Sequence, residues 1–240
     1  MISDTLAAVL TRLYLGAHEG LAAACTKALQ VDGLALSLVV DGWEPEPLWH
    51  FGTASALLEE LQFTLGEGPA PDCVRAGVAV TVPDFPATPS VRWPALSTAA
   101  AELHLPVRAL FCFPLRLGAV RVGVLTMTTD TPGPLTATQT SDALALTAAL
   151  TAWYLGGHEA DLLGAPGTGP AELNRAETHQ ATGMVSVQLG VPLAEALLRL
   201  RARAYSQNRP LHEVAGEVTA RRLRFFPDPD APSAPDNREG

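Results

Sequence analysis

The stretch that most constrains the fold is residues 177–190, with the sequence ETHQATGMVSVQLG. If this stretch is helical, with about 100° of rotation per residue, five of its residues and of those just before it lie on one side of the helix. This pattern predicts an amphipathic helix that buries that side. The stripe consists of Leu173, Gln180, Gly183, Met184 and Val187. Glycine within a helix costs on the order of 1 kcal/mol relative to alanine, so Gly183 predicts a close contact with another backbone. Gly190 is the residue type that commonly ends a helix.

Two further helices are predicted downstream, which makes a small three-helix bundle the expected architecture. Pro192 stands where the first turn of a helix accepts proline. Apolar residues then recur at spacings of three and four, as on one buried helix face. Arg199 and Arg203 fall together on the opposite face of the second helix. The third helix begins after Pro210 and is expected to run to about Arg224.

The charge of the chain is unevenly distributed along its length. The net charge is −9, yet residues 171–226 hold eight arginines against five glutamates, which gives that segment +3. A basic segment on an acidic chain is the pattern expected of a module that binds a polyanion. The alternative is that the arginines near residue 222 only complement the dipole of the helix that precedes them.

Residues 171–226 resemble an ANTAR domain in QATGMVSVQLG, in PLAEALLRLRARAYSQNRPL and in the closing EVAGEVTARRLRF. The resemblance implies an RNA-binding bundle that holds paired hairpins in nascent transcripts and blocks formation of a terminator. One departure is Thr182, since many members of that family carry a basic residue before the glycine of the first helix. Under this interpretation bases or sugars contact His179, Gln180 and Thr182, and phosphates contact Arg199, Arg203, Arg221 and Arg222. For each residue alone the alternative is an ordinary solvated helix face.

The sequence of residues 1–155 predicts an α+β domain in which helices flank an antiparallel sheet. Helices are expected over 2–30, 55–63, 94–103 and 136–155, and strands over 34–40, 48–52, 77–82, 107–115 and 120–128. This order resembles a GAF domain, most specifically in LQFTLGEGPAPDCVRAGVAVTVPDF (residues 61–85) and PVRALFCFPLRLGAVRVGVLTM (residues 106–127). A GAF domain followed by an ANTAR domain is a familiar pairing in actinobacterial regulators.

Composition sets the boundaries and the expected compartment. Residues 156–170 are rich in Gly and Pro and predict a linker, whereas residues 227–240 have too little apolar content to fold. The N-terminal sequence has an early acidic residue and no basic start, so it predicts an amphipathic helix and not a signal peptide. Three cysteines cannot form a full disulfide framework, which fits a reducing compartment, and the protein is expected in the cytoplasm.

The GAF resemblance implies that the first domain binds a small-molecule ligand. The sequence identifies neither this ligand nor a cofactor. The candidate pocket residues are Gly66, Glu67, Gly68 and Cys73. The alternative for the glycines is a turn that needs positive φ angles, and for Cys73 a buried small hydrophobic residue. The six histidines show no metal-ligand spacing, so no metal site is predicted.

The sequence therefore predicts a signal-responsive, RNA-binding transcription antiterminator. It has no Gly-x-Ser-x-Gly motif and no kinase signature, so it is not expected to be an enzyme. The helices predicted over residues 2–30 and 136–155 each have an apolar face. GAF domains commonly pair through helices of this kind, so the resemblance implies a homodimer. One alternative is a ligand-sensing or protein-interaction module whose bundle binds a protein partner. A further alternative is a GAF-type methionine-sulfoxide reductase, for which Cys73 and Cys112 are the available thiols.

Overall fold

The chain forms two compact units, Met1–Gly169 and Pro170–Gly240. The computed structural model describes residues 2–17, 20–39, 45–89, 91–157, 170–207 and 209–226, with the backbone alone for 170–175. Most of the predicted linker, residues 156–170, and all of the predicted tail, residues 227–240, lie outside the described residues.

The first unit is built on a five-stranded antiparallel sheet with the order β2-β1-β5-β4-β3. The strands are β1 (Gly33–Leu38), β2 (Glu46–Phe51), β3 (Val80–Val82), β4 (Ala109–Leu117) and β5 (Val120–Thr129). All six residues of β1 are buried, as expected for a strand covered on both faces. The pairing of β1 with β5 brings Gly123 against Leu38. A side chain at Gly123 would collide with the carbonyl oxygen of Ser37, so only glycine allows this close strand approach.

Helices cover both faces of the sheet. They are α1 (Asp4–Tyr14), α2 (Leu21–Leu29), α3 (Thr53–Leu65), α4 (Pro69–Ala76), α5 (Pro94–Glu102) and α6 (Ala137–Leu155). One apolar core joins α1, α2 and α6 to the sheet, and a second core joins α3, α4 and α5 to it. The predicted α+β architecture with a helix-flanked antiparallel sheet is thus confirmed.

Two local predictions for this unit are wrong. The expected single helix over residues 2–30 is two helices, because Gly16 and Gly20 have φ of 72° and 63°, a left-handed conformation that interrupts a helix. Helix α4 was not predicted, since the cluster at residues 65–69 indicated only a turn. Pro69 instead starts a helix, because its fixed φ and missing N–H suit a first turn.

The start of α1 is fastened to α6 by a buried carboxylate. Asp142 is almost fully buried on α6. Its Oδ1 accepts a hydrogen bond from the Ser3 backbone N–H at 2.8 Å, and its Oδ2 accepts one from the Ser3 hydroxyl at 2.6 Å. Ser3 is also the N-cap of α1, so one contact both satisfies Asp142 and fixes where that helix begins.

The second unit is a three-helix bundle of α7 (Pro170–Leu189), α8 (Leu193–Ser206) and α9 (Leu211–Thr219). Its core is made of small and aliphatic residues: Ala181, Val185, Ala196, Leu197, Leu200, Ala204, Leu211, Val214, Ala215 and Val218. Arg209 precedes α9 and binds the carboxylates of Glu213 and Glu217 at 3.2 and 3.1 Å. The helix ends at Thr219 rather than near Arg224, and Arg221 has φ of 60°.

The predicted inward face of α7 is wrong. Among residues 176–189, whose side chains the structure describes, the buried ones are Thr178, Ala181, Thr182 and Val185, and the predicted stripe residue Leu173 lies outside that range. They also recur at spacings of three and four, on the side opposite the expected stripe. Val187 is 84% exposed and Gln180 is exposed as well. Threonine could face inward because the Thr182 hydroxyl donates a hydrogen bond to the Thr178 carbonyl oxygen at 2.7 Å, which satisfies its polar group.

Gly183 does not make the predicted close contact, and this gives a direct test. A Cβ at this position would meet nothing within 4 Å. Gly183→Ala is therefore expected to raise the unfolding free energy of the bundle by about 1 kcal/mol, as hydrogen exchange of the α7 amides would show. Gly216→Ala is the matched control, since its Cβ would lie 3.1 Å from Glu177 Oε1 and should gain less. A lower free energy of unfolding in Gly183→Ala would contradict the finding that the space beside Gly183 is open.

No single helix within the described residues is long and apolar enough to cross a membrane. One pair of helical segments, Ala176–Leu189 and Leu193–Ser206, passes the same criterion by length and composition when taken together, although the pair is bent by 106°.

Candidate functional site

A buried polar network links the sheet to the helices on the second-core face. Glu59 on α3 is only 3% exposed. Its carboxyl group accepts hydrogen bonds from the Ser37 hydroxyl of β1 at 2.6 Å and from Gln62 Nε2 at 2.9 Å. The Oε1 atom of Gln62 in turn accepts from the backbone N–H of Ala70 in the first turn of α4 at 2.8 Å. One chain of hydrogen bonds therefore joins β1, α3 and α4.

The carboxyl group of Glu59 resists ionisation in this position. Burial raises the pKa of Glu59 above its ordinary value of 4.5, although hydrogen bonds from Ser37, Thr126 and Gln62 oppose the shift. Desolvation disfavours a charged carboxylate, and the described neighbours that bond to it are neutral. Sequence reasoning missed this group, because a single glutamate in an amphipathic helix gives no signal that it faces the core.

The candidate pocket loop has structural roles. Gly66 ends α3 with φ of 68°, and Gly68 has φ of 138°, where an added Cβ would collide with the Gln62 side chain. Glu67 Oε1 accepts a hydrogen bond from the backbone N–H of Leu96 at 2.7 Å, which satisfies a free donor in the first turn of α5. The turn conformation thus accounts for both glycines.

Cys73 does not line an open pocket, contrary to prediction. Its side chain is fully buried in the second core, as is that of Cys112 on β4. Burial raises the pKa of the Cys73 thiol to about 12 and raises the pKa of Cys112 as well. Cys25 is buried too, and all three cysteines are free thiols. A reactive cysteine needs an exposed thiol of low pKa, and these thiols have the opposite properties.

An open depression of about 600 Å³ lies beside α4 and the edge strand β3. Its charged residues are Asp72, Arg75 and Arg92, and we call it the arginine depression. Its remaining wall is formed by Ala76, Val78, Ala79, Val80 and Thr81. None of the predicted pocket residues belongs to it.

Asp72 organises the arginine depression. Its Oδ1 accepts a hydrogen bond from Arg75 at 2.6 Å, and its Oδ2 accepts one from the Trp93 indole N–H at 3.0 Å. The same Oδ2 lies 3.8 Å from Arg92, whose guanidinium stacks over the Trp93 ring at 4.3 Å from the centroid. Trp93 is itself buried, so it provides a fixed platform for Arg92.

The bundle surface presents some of the predicted RNA-contacting residues and hides one. His179 and Gln180 are exposed on α7. Thr182 is 1% exposed, so the prediction that it contacts bases or sugars is wrong in this fold. Its hydroxyl is used within the helix, and the side chain packs among the core residues.

The predicted phosphate-binding arginines are exposed but differ in their pairing. Arg199 bonds to Glu195 at 3.1 Å, so its charge is locally balanced. No ion pair of Arg203, Arg221 or Arg222 occurs among the residues the structure describes. A small depression of about 210 Å³ next to the exposed face of α7 is lined by Met184, Gln188, Arg221 and Arg224. This depression brings α7 and the arginines after α9 to one surface.

The described part of the chain holds no group of three or more His, Cys, Asp or Glu side chains positioned to bind a metal ion.

Comparisons with solved structures identify the fold of the first unit. The chain resembles the GAF domain of a phosphoenolpyruvate-protein phosphotransferase from Coxiella burnetii, at 16% identity and a TM-score of 0.50, over 65% of this chain and 97% of that one. The corresponding domain from Acinetobacter aligns at 14% identity and a TM-score of 0.47, over 65% of this chain and 93% of that one. A free methionine-R-sulfoxide reductase from Neisseria meningitidis aligns at 19% identity and a TM-score of 0.45, over 67% of this chain and 96% of that one.

No protein-family model and no curated protein matches the sequence. The first unit has a GAF-like fold, as the resemblance in the sequence implied. At this level of identity the likeness establishes the fold alone.

Proposed function

We propose that the protein is a signalling regulator in which the GAF-like domain senses a small molecule and the C-terminal bundle carries the output. GAF-fold domains are commonly ligand-sensing modules, and the fold of the first unit supports that role here. The network through Glu59 joins β1, α3 and α4, so a change at one of these elements would reach the other two.

For the output we propose RNA binding of the antiterminator kind implied by the ANTAR resemblance. The observation that carries this proposal is the exposed face of α7, which meets Arg221 and Arg224 in one depression. Gln180 and Gly183 offer a polar group and an open surface on that face, and the arginines supply charge for phosphates. Such a division, with side chains reading bases and arginines holding the backbone, is typical of RNA recognition.

Salt dependence and cross-linking test the RNA proposal. RNA cross-linked to the protein in its host should be enriched in paired hairpins upstream of terminators. Affinity for such RNA should fall with salt at a log–log slope of about −0.7 for each single-strand phosphate neutralised. Recovery of RNA without enriched hairpins would overturn the antiterminator role.

Gly183 provides a second test, which separates folding from binding. Gly183→Ala should stabilise the bundle, yet its added methyl group lies on the surface proposed to contact RNA. We expect lower RNA affinity with an unchanged circular dichroism spectrum. RNA affinity equal to that of the unmodified protein would remove this face of α7 from the interface.

A protein-binding bundle is the second candidate. On α8, Leu198 and Tyr205 are 61% and 70% exposed, and their spacing of seven residues, about two helical turns, places them on one face of the helix. These residues would suit a partner helix or loop. A complex captured through the bundle that survives nuclease and raised salt would favour this candidate over RNA.

The methionine-sulfoxide reductase alternative receives little support from the site. Cys73 and Cys112 are both buried, and burial raises the pKa of each thiol. Catalysis by either thiol would require exposure and a lower pKa.

We also propose that the protein is a homodimer and acts in the cytoplasm. Several large apolar side chains are exposed at the C-terminal end of α1 and on α6: Tyr14, Leu15, Leu144 and Leu155. Sedimentation of the full chain, with and without RNA, tests the pairing, and a monomer under both conditions would overturn it.

A further inference from the structure

We infer that the arginine depression binds a small organic anion that carries one carboxylate or phosphate group and a short apolar part. This inference rests on the proposed sensor role of the first unit and names the class of ligand that it takes.

The charge of the depression favours an anion. Among the residues that line it, two guanidiniums, of Arg75 and Arg92, stand beside a single carboxylate, that of Asp72. Asp72 already accepts one hydrogen bond on each carboxylate oxygen, from Arg75 and from the Trp93 indole N–H. An incoming anion therefore meets mainly the donors of Arg92, while Asp72 is already held by its neighbours.

Arg92 is held in place before any ligand arrives. A guanidinium has five N–H donors, and among the described residues the Arg92 side chain has only two partners, Asp72 at 3.8 Å and the Trp93 ring. Trp93 is buried and anchored through its indole N–H, so the stacked guanidinium loses little conformational freedom when an anion binds. The fork of donors matches the two oxygens of a carboxylate or phosphate.

The remaining wall determines the rest of the ligand. Ala76, Val78 and Ala79 are exposed apolar residues beside the arginines, and Thr81 contributes a hydroxyl group. An apolar part of a few carbon atoms would cover these side chains and remove them from water. The volume of about 600 Å³ lies within the range of small-molecule sites, which is roughly 300–1,000 Å³.

Nitrogen-15 NMR of the full chain tests this inference with three probes: isobutyrate, inorganic phosphate and the neutral isostere isobutyramide. Isobutyrate or phosphate should shift the Trp93 indole N–H signal in a saturable manner, and isobutyramide should not. The signal that disappears in Trp93→Phe identifies that resonance. Saturation by isobutyrate alone assigns a carboxylate ligand, and saturation by phosphate alone assigns a phosphate ligand.

Arg92→Met keeps the apolar stem and removes the charge, so it should weaken anion binding about tenfold or more, as expected when one charged hydrogen bond is removed. Arg121→Met is the matched control, because Arg121 is an exposed arginine of the same domain that does not line the depression.

Absence of a saturable shift at Trp93 with either anion would overturn the inference, as would equal weakening by Arg121→Met. If the anion binds here and leaves RNA affinity and dimerisation unchanged, the ligand assignment stands and the proposed coupling to the bundle fails.

Discussion

Glu59→Gln is expected to abolish a loss of stability that the unmodified protein suffers as pH rises. Because the pKa of Glu59 is raised in the folded state, the folded chain keeps its proton at pH values where the unfolded chain has lost it. The free energy of unfolding should therefore be unaffected below pH 4.5 and should fall by about 1.4 kcal/mol per pH unit from there up to the raised pKa. Glutamine cannot ionise, and its amide can bond to the same hydroxyls of Ser37 and Thr126.

Urea denaturation at a series of pH values measures this effect as the difference between the two proteins. Glu60→Gln, one residue along the same helix and only half-buried, is the matched control and should follow the unmodified protein. Glu59→Ala should instead destabilise at every pH, by roughly 1–3 kcal/mol for each donor left unpaired. If the free energies of unfolding of Glu59→Gln and of the unmodified protein changed with pH in the same way, the pKa of Glu59 would not be raised by folding, and the prediction would be wrong.

Reversing the charge of Arg221 and Arg222 together should lower RNA affinity by about a hundredfold or more. Each substitution removes one charged interaction, at about 1.5–3 kcal/mol per hydrogen bond, and adds repulsion of the phosphates. The log–log salt slope should become shallower by about 0.7 for each phosphate that is no longer neutralised. Both residues are exposed and follow the end of α9, so the helical core of the bundle should be unaffected.

The matched control is reversal of Arg116 and Arg121, which face each other across the β4–β5 hairpin of the first unit. This pair changes the net charge of the chain equally but lies in the other domain. Equal losses of RNA affinity in both double variants would show that only the overall charge matters. An unchanged affinity in the Arg221/Arg222 variant would favour the protein-binding candidate.

The architecture of the first unit could be predicted from sequence because its three inner strands, β1, β5 and β4, are largely apolar runs between strong turn signals. The hairpin of β4 and β5 illustrates this, since a short exposed link, Gly118-Ala119, separates two runs of mostly buried residues. Helix α4 could not be predicted in the same way. It has only eight residues and begins within a cluster of Gly and Pro that also suits a turn.

The site was predictable only in part, because the decisive facts are tertiary. On α7 two faces have helical spacing, and the one with Val187 and Met184 is the more apolar, yet the face with Thr182 and Val185 is buried. Local satisfaction of the Thr182 hydroxyl removes the cost that would have kept threonine outside. Likewise, the meeting of Asp72 with Arg92 depends on how α4 packs against the loop before α5, which no local pattern specifies.

The strand order of the sheet has a consequence for synthesis of the protein on the ribosome. The inner neighbour of β1 is β5, whose paired residues follow 85 to 95 positions later in the chain, from Leu38 with Gly123 to Gly33 with Thr128. A nascent chain ending before residue 120 therefore presents β1 and β4 with unpaired edges, the form in which strands add to other chains. The bundle has only local helix pairs and can fold as soon as it emerges. The period of greatest risk of aggregation thus falls while β5 is still being made, before any of the bundle exists.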